Sequence, residues 1–152
     1  MADRYVIGVD IGTQGGKCSL FTLDGLALAS AFAPPQLLKP VPGAVEEDPE
    51  FQVDSVCGTI KECIAKAGNI STDDVVCIAI DGQMAGIIGV GTDGKAVTPY
   101  DSWLDTRCAP YITVMEERAG DEIVRKTGNP PSFNHGPKIL WWMHEHPETY
   151  EK

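Results

Sequence analysis

At 152 residues, 43% hydrophobic and 22% charged, the chain has enough apolar content for one substantial core and reads as a single domain. Its formal charge of -10, from 22 acidic against 12 basic side chains, argues against sequence-independent nucleic-acid binding, because no Lys/Arg stripe exists to replace condensed counterions. The five cysteines (18, 57, 63, 77 and 108) include no C-x-x-C pair, which suggests reduced core thiols. The lack of any apolar run near ~18 residues argues against a membrane span and makes the cytoplasm the expected address.

The first elements expected are three β segments, Tyr5 to Ile11, Lys17 to Leu23 and Leu26 to Ala33, with Asp24-Gly25 as a two-residue hairpin turn. Pro34 to Pro42, rich in proline, reads as an extended surface connection within the domain. Asp48 at the cap and Pro49 at the first helical position start a helix. Phe51, Val56, Ile60, Ile64 and Ala67 give it one apolar face, and Gly68-Asn69 stop it. The unbroken run Val75-Val76-Cys77-Ile78-Ala79-Ile80 predicts a central strand buried on both faces, reached by a helical crossover and parallel to an earlier strand.

A second hairpin follows over Ile87 to Thr98, around Thr92-Asp93-Gly94-Lys95. Helices are then expected over Arg107 to Ala119, Asp121 to Thr127 and Lys138 to His146, broken at Gly120 and at Gly128 to Pro131. The sum is an α/β domain with a mixed sheet and flanking helices. His135, His144 and His146 read as surface residues, since the last two are two apart and share no helix face, and Trp141 and Trp142 read as packing or as cover for surface that a further domain would bury.

The segment VIGVDIGTQGGKCSLFTLDG carries the most chemistry. A strand delivers Asp10 to a turn containing Gly12, Thr13, Gln14, Gly15 and Gly16, and Lys17 follows. A carboxylate, free backbone N–H groups, a hydroxyl and a mobile cation suit a metal-phosphate. The spacing is not that of a Walker loop, because Lys17 opens a strand and not a helix. On residue types alone a plain tight hairpin explains the stretch equally well. If the strands ending in Asp10 and Asp81 run parallel, both carboxylates border the glycine turn and invite Mg²⁺.

Five segments together resemble one family: DIGTQGGK (10 to 17), GAVEEDPE (43 to 50), DGQMAG (81 to 86), SWLDTR (102 to 107) and GPKILW (136 to 141). Their order and separations, over essentially the whole chain, are similar to the amino-terminal domain of the FGGY carbohydrate kinases, nearest the xylulokinase and gluconate-kinase-like branch. The resemblance implies a ribonuclease-H-like sheet of the actin and hexokinase superfamily and ATP-dependent phosphorylation of a sugar or polyol hydroxyl. It implies that Asp10 organises Mg²⁺ and that Gly12, Thr13, Gln14 and Lys17 form a phosphate loop for ATP. Gln83, Met84 and Ala85 become a sugar-contacting turn, with Trp103 and Asp105 as a neighbouring sugar wall, Asp105 accepting from vicinal hydroxyls. The xylulokinase pattern reads G-Q-M-H-G, so Ala85 departs from it and puts xylulose in question; Asp81 stands where Ser or Thr is more usual.

The resemblance further implies that the general-base aspartate and an adenosine-binding second domain lie beyond Lys152. Residues 1–152 are then expected to be a truncated, catalytically inactive amino-terminal domain whose partner is the remaining domain of the same polypeptide; a homodimer stays open. Two other readings compete: an actin-like or chaperone-like ATPase module, which gives no reason for DGQMAG and SWLDTR, and a non-catalytic sugar-binding module that has kept the fold.

Overall fold

A computed structural model describes residues 4–68 and 70–152, so the expected helix stop at Asn69 lies outside the described residues. The chain packs as two compact units, Met1–Gln36 with Glu50–Gln83, and Leu37–Pro49 with Met84–Lys152.

The first unit is a four-stranded mixed sheet, β1 (Tyr5–Gly12), β2 (Gly15–Thr22), β3 (Ala27–Ala33) and β5 (Val75–Gly82), in the order β3-β2-β1-β5. β1 pairs antiparallel with β2 and parallel with β5, the crossover being made by α1 (Pro49–Lys66). Period-two alternation sends Ile7, Val9, Cys18, Leu20 and Ala31 to one face, where Cys63 of α1 closes a core with Val56, Ile60, Ile64 and Ala67. The Asp48-Pro49 start signal is confirmed, but Phe51 stays outside that face, 36% exposed.

Three expectations are corrected here. The β2–β3 turn is not a two-residue Asp24-Gly25 hairpin. Gly25 N–H donates to Thr22 O and Thr22 N–H to Leu26 O, with Gly25 alone at positive φ (+92°), so the loop has three residues with glycine at the left-handed position. β5 is parallel to β1 as expected, yet among the described residues it lies at the sheet edge and is exposed: Ile78 is 50% and Ile80 67% accessible, while Val75 at its start packs against the core. A continuous apolar run marks a strand without telling what packs on it. Finally, Cys18, Cys63 and Cys108 are buried free thiols, whereas Cys57 and Cys77 are exposed.

The second unit holds a short ribbon, β4 (Glu46–Glu47) with β6 (Tyr100–Asp101), and the helices α2 (Ala109–Thr127), α3 (His135–Glu145) and α4 (Pro147–Tyr150). The expected second hairpin forms its turn at Gly94, but its arms are joined by an isolated bridge, Val90 to Ala96, and not by a continuous ladder. The break expected at Gly120 is a kink: Ala119 leaves helical geometry (φ -152°, ψ 18°) and the helix resumes to a left-handed Gly128 cap. Gly136 seats α3 on α2, where an added Cβ would meet Met115 Cε at 2.8 Å.

Candidate functional site

In the first unit, strand register assembles the charged groups. Asp10 of β1 stands opposite Lys17 of β2 and beside Asp81 of β5, giving a row Asp81–Asp10–Lys17 on the sheet face opposite the Ile7/Val9 core. All three are exposed. The parallel pairing on which the juxtaposition of Asp10 and Asp81 depended is therefore present.

Thr13 and Gln14 form the two-residue connection between β1 and β2, with Gly12 paired to Gly15. The stretch is thus a tight hairpin in shape, and its chemistry is added to that shape. Gly15 has φ +128°, and a Cβ there would lie 2.2 Å from the Ala33 carbonyl oxygen. Gly12 would bring a Cβ to 3.3 Å from Asp10 Oδ1, whereas Gly16 would make an ordinary 3.8 Å contact with Val56 Cγ2. Close approach by β3, not by a ligand, is what demands glycine at 15. The hairpin is tied to the end of β5: Gln83 N–H donates to Ile11 O at 2.9 Å, and Thr13 Oγ1 donates to Gln83 Oε1 at 3.2 Å. The paired carboxylates are hard oxygen donors at the edge of a polar turn, which fits Mg²⁺, an ion commonly held by one or two carboxylates together with water and substrate phosphate.

Beyond Gln83 the chain enters the second unit. Met84 is 83% exposed, and Ala85 adopts φ +66°, a left-handed conformation found at no other non-glycine position among the described residues. Gly86 follows because Tyr100 Oη would lie 2.0 Å from a Cβ placed there. Tyr100 Oη is itself buried without a hydrogen-bond partner, and burial followed by the charge of Glu47 pushes its pKa up to about 12.

Trp103 is 45% exposed, in a turn Ser102–Asp105 closed by Asp105 N–H to Ser102 O at 2.9 Å. Asp105 does not share that exposure. It is 2% accessible, with Oδ2 accepting from Val45 N–H (2.9 Å) and Arg107 Nε (2.9 Å) and Oδ1 from Arg107 N–H (3.0 Å). A carboxylate so enclosed braces the loop.

That brace belongs to a buried charged network that sequence reasoning passed over. Arg107 Nη2 meets Glu46 at 2.7 Å, Asp101 at 2.9 Å and Asp105 at 2.8 Å, while its guanidinium lies 4.4 Å from the Trp141 ring centroid. The three carboxylates cluster closely enough to hold a metal, but the guanidinium already pairs with each of them. Trp142 Nε1 donates to Asp101 Oδ2, so neither tryptophan is mere packing. Burial first, then the Asp105 charge, pushes the Asp101 carboxyl up to about 6 against the Trp142 hydrogen bond and Arg107. Burial lowers the Lys138 ammonium, and burial would lower Arg107 too, but its Asp105 hydrogen bond and its three carboxylate neighbours raise it. The sequence signal for this network was a lysine and two tryptophans inside one apolar helix, KILWW. His144 stacks on Tyr111, whose hydroxyl donates to Glu145 at 2.7 Å, and His146 packs on Trp141 and Trp142.

Among the described residues no helix is long and apolar enough to cross a membrane. Residues 5–152 match the FGGY family of carbohydrate kinases, N-terminal domain. The chain is 29% identical over 150 residues to a xylulose kinase of Bacillus subtilis (strain 168), covering 98% of this chain and 30% of the relative. It is 30% identical over 152 residues to a glycerol kinase of Leptothrix cholodnii, with 97% and 30% covered. Among solved structures, gluconate kinase from Lactobacillus acidophilus superposes with a TM-score of 0.87 at 28% identity, covering 99% of this chain and 30% of that one. The chain therefore spans about 30% of the length of the relatives it matches. With the mixed sheet, its flanking helices and a family match over nearly every residue, the chain belongs to the FGGY family of carbohydrate kinases, as part or all of its N-terminal domain.

Proposed function

We propose that the polypeptide carrying these residues transfers the γ-phosphoryl group of ATP to a hydroxyl of a sugar or polyol, and that residues 1–152 are an amino-terminal portion which does not catalyse alone. The observation that carries this reading is the row Asp81–Asp10–Lys17 beside a turn tied to Gln83 through Thr13. A phosphoryl group needs positioning and charge stabilisation more than covalent help. Asp10, joined by Asp81, would hold Mg²⁺, which when bound neutralises charge on the phosphate oxygens. Lys17 offers a point charge, and Gly12, Thr13 and Gln14 offer N–H and hydroxyl donors. The acceptor hydroxyl oxygen bonds to γ-phosphorus as the β,γ-bridging bond breaks and ADP leaves; its proton passes to a carboxylate supplied outside these residues.

On the sugar side, the reading assigns Gln83, Met84, Ala85 and Trp103 to substrate contact and Asp105 to support. Xylulose, glycerol and gluconate, named by relatives, are the first acceptors to test. Ala85 has no imidazole for a sugar hydroxyl, and the charge of -10 weighs against an acidic acceptor. The cytoplasm, where ATP is abundant, is the site of action proposed. In the full-length protein, Lys17→Ala is expected to raise KM for ATP by about tenfold, the worth of one charge-assisted hydrogen bond, and KM for the sugar far less. The reverse ranking would reject the assignment, and sugar-dependent ADP release by residues 1–152 alone would reject the claim that they are inactive.

A further inference from the structure

Lys138 lies on α3 within a run of apolar residues and is 1% exposed. Its ammonium donates to two main-chain carbonyls, Ser102 O at 2.9 Å and Asp105 O at 3.0 Å. Those carbonyls are the first and last of the turn Ser102–Asp105, which is closed by Asp105 N–H to Ser102 O, with Leu104 N–H donating to Ser102 Oγ at 3.3 Å. A single buried cation thus grips both ends of a four-residue turn. The two central residues, Trp103 and Leu104, are 45% and 37% exposed.

Burying an ammonium costs free energy that a methionine of similar length would not incur, and apolar packing alone would favour the methionine. What methionine cannot do is supply several donors from one atom to converging carbonyls. The opposite side of the same turn is fixed independently, since the Asp105 carboxylate accepts from Val45 N–H, Arg107 N–H and Arg107 Nε. Backbone carbonyls held from α3 and a side chain held from Val45 and Arg107 leave the turn little freedom. Its exposed tryptophan therefore has a defined position before anything binds.

We propose that Lys138 is a positioning residue for the substrate: it fixes the turn that presents Trp103 and so sets affinity for the sugar without touching it. The inference rests on the reading of Trp103 as a sugar contact. It is tested in the full-length protein by steady-state kinetics of Lys138→Met, Trp103→Ala and the double variant, using the acceptor that gives the highest kcat/KM. Lys138→Met is expected to raise KM for the sugar by about tenfold while KM for ATP stays within about twofold, the effect of a misplaced contact. The double variant should then be no worse than Trp103→Ala, since both changes remove one interaction. Met115→Ala, which loosens the α2–α3 contact, serves as the control that lowers Tm with sugar KM unchanged.

Should Lys138→Met not fold, Lys138→Gln, which keeps a short donor and loses the charge, takes its place. Lys138 variants that lower Tm like Met115→Ala but leave sugar KM unaltered, while Trp103→Ala raises it, overturn the positioning role and leave the sugar-side reading standing. Trp103→Ala without effect on sugar KM overturns the reading of Trp103 and, with it, the role of Lys138.

Discussion

Replacing Gly15 by alanine separates two explanations of the glycine-rich turn. The added Cβ would sit 2.2 Å from the Ala33 carbonyl oxygen and 2.9 Å from two atoms of the Phe32 ring, on a backbone held at φ +128°. Strain in so sparsely populated a conformation costs about 1–3 kcal/mol, and forcing extra volume into a packed contact adds about 1–3 kcal/mol, so a loss near 4 kcal/mol is expected. Gly16→Ala is the matched control: it lies one residue on, without positive φ, and its Cβ would meet Val56 Cγ2 at 3.8 Å. That change should stay within about 0.5 kcal/mol. Urea or thermal denaturation of both purified variants reads the difference, and a loss near 4 kcal/mol lowers Tm by about 10 °C or more. Equal stability of the two variants, with ATP affinity reduced in both, would refute the claim that β3 rather than a ligand demands glycine at 15.

Tyr100→Phe removes a buried hydroxyl that has no hydrogen-bond partner; since such a group costs about 1–3 kcal/mol, the variant is expected to match or exceed the parent in denaturant midpoint, and a clear loss would reveal a partner. Asp101 titrates higher in the folded chain, near 6 against 3.8, so the folded state retains a proton that the unfolded state has released. Its contribution is full below pH ~3.8 and is lost as pH rises through about 6, a change on the order of 3 kcal/mol. A stability profile of Asp101→Asn between pH 4 and 6.5, with Arg107, Asp105, Glu46, Lys138 and Trp142 intact around it, should lack that decline, and an unchanged slope would assign the titration elsewhere.

The residues that wrote themselves into the sequence are those whose local chemistry has one outcome. Asp48-Pro49 can start a helix and little else, and the alternation through β1 and β2 allows one buried face, so α1 and the hairpin are legible at once. β5 is legible as a strand and as parallel, but an unbroken apolar run does not tell whether its flanks are covered. Asp24-Gly25 signals a turn without fixing its length, because glycine serves the left-handed position in two- and three-residue loops alike. Asp105 shows the same limit at the site. A carboxylate two residues from an exposed tryptophan reads as a ligand, yet Arg107, two residues further on, turns inward and takes Asp105 with it.

The two units solve the placement of charge by opposite means. In the first, the core itself sets the row Asp81–Asp10–Lys17: the positions that bury Ile7, Val9, Cys18 and Leu20 fix the register, and the alternate positions then carry the charges to the other face. A slip of one residue between β1 and β2 would bury Asp10 and Lys17 under α1 and expose the core, so the apolar pattern guards the charged row without any contact to it. In the second, α3 sends Lys138, Trp141 and Trp142 to a loop that has little regular structure, and buried charges meet there because backbone carbonyls and carboxylates need partners. Exposed charges kept in place by a hydrophobic register tolerate substitution one at a time, whereas the buried network of Glu46, Asp101, Asp105 and Arg107 depends on its one shared cation, since removing Arg107 leaves three carboxylates without the guanidinium they share. Changes at Asp10, Lys17 or Asp81 should therefore fall on ligand binding and leave the fold intact, and changes in the buried network should fall on both.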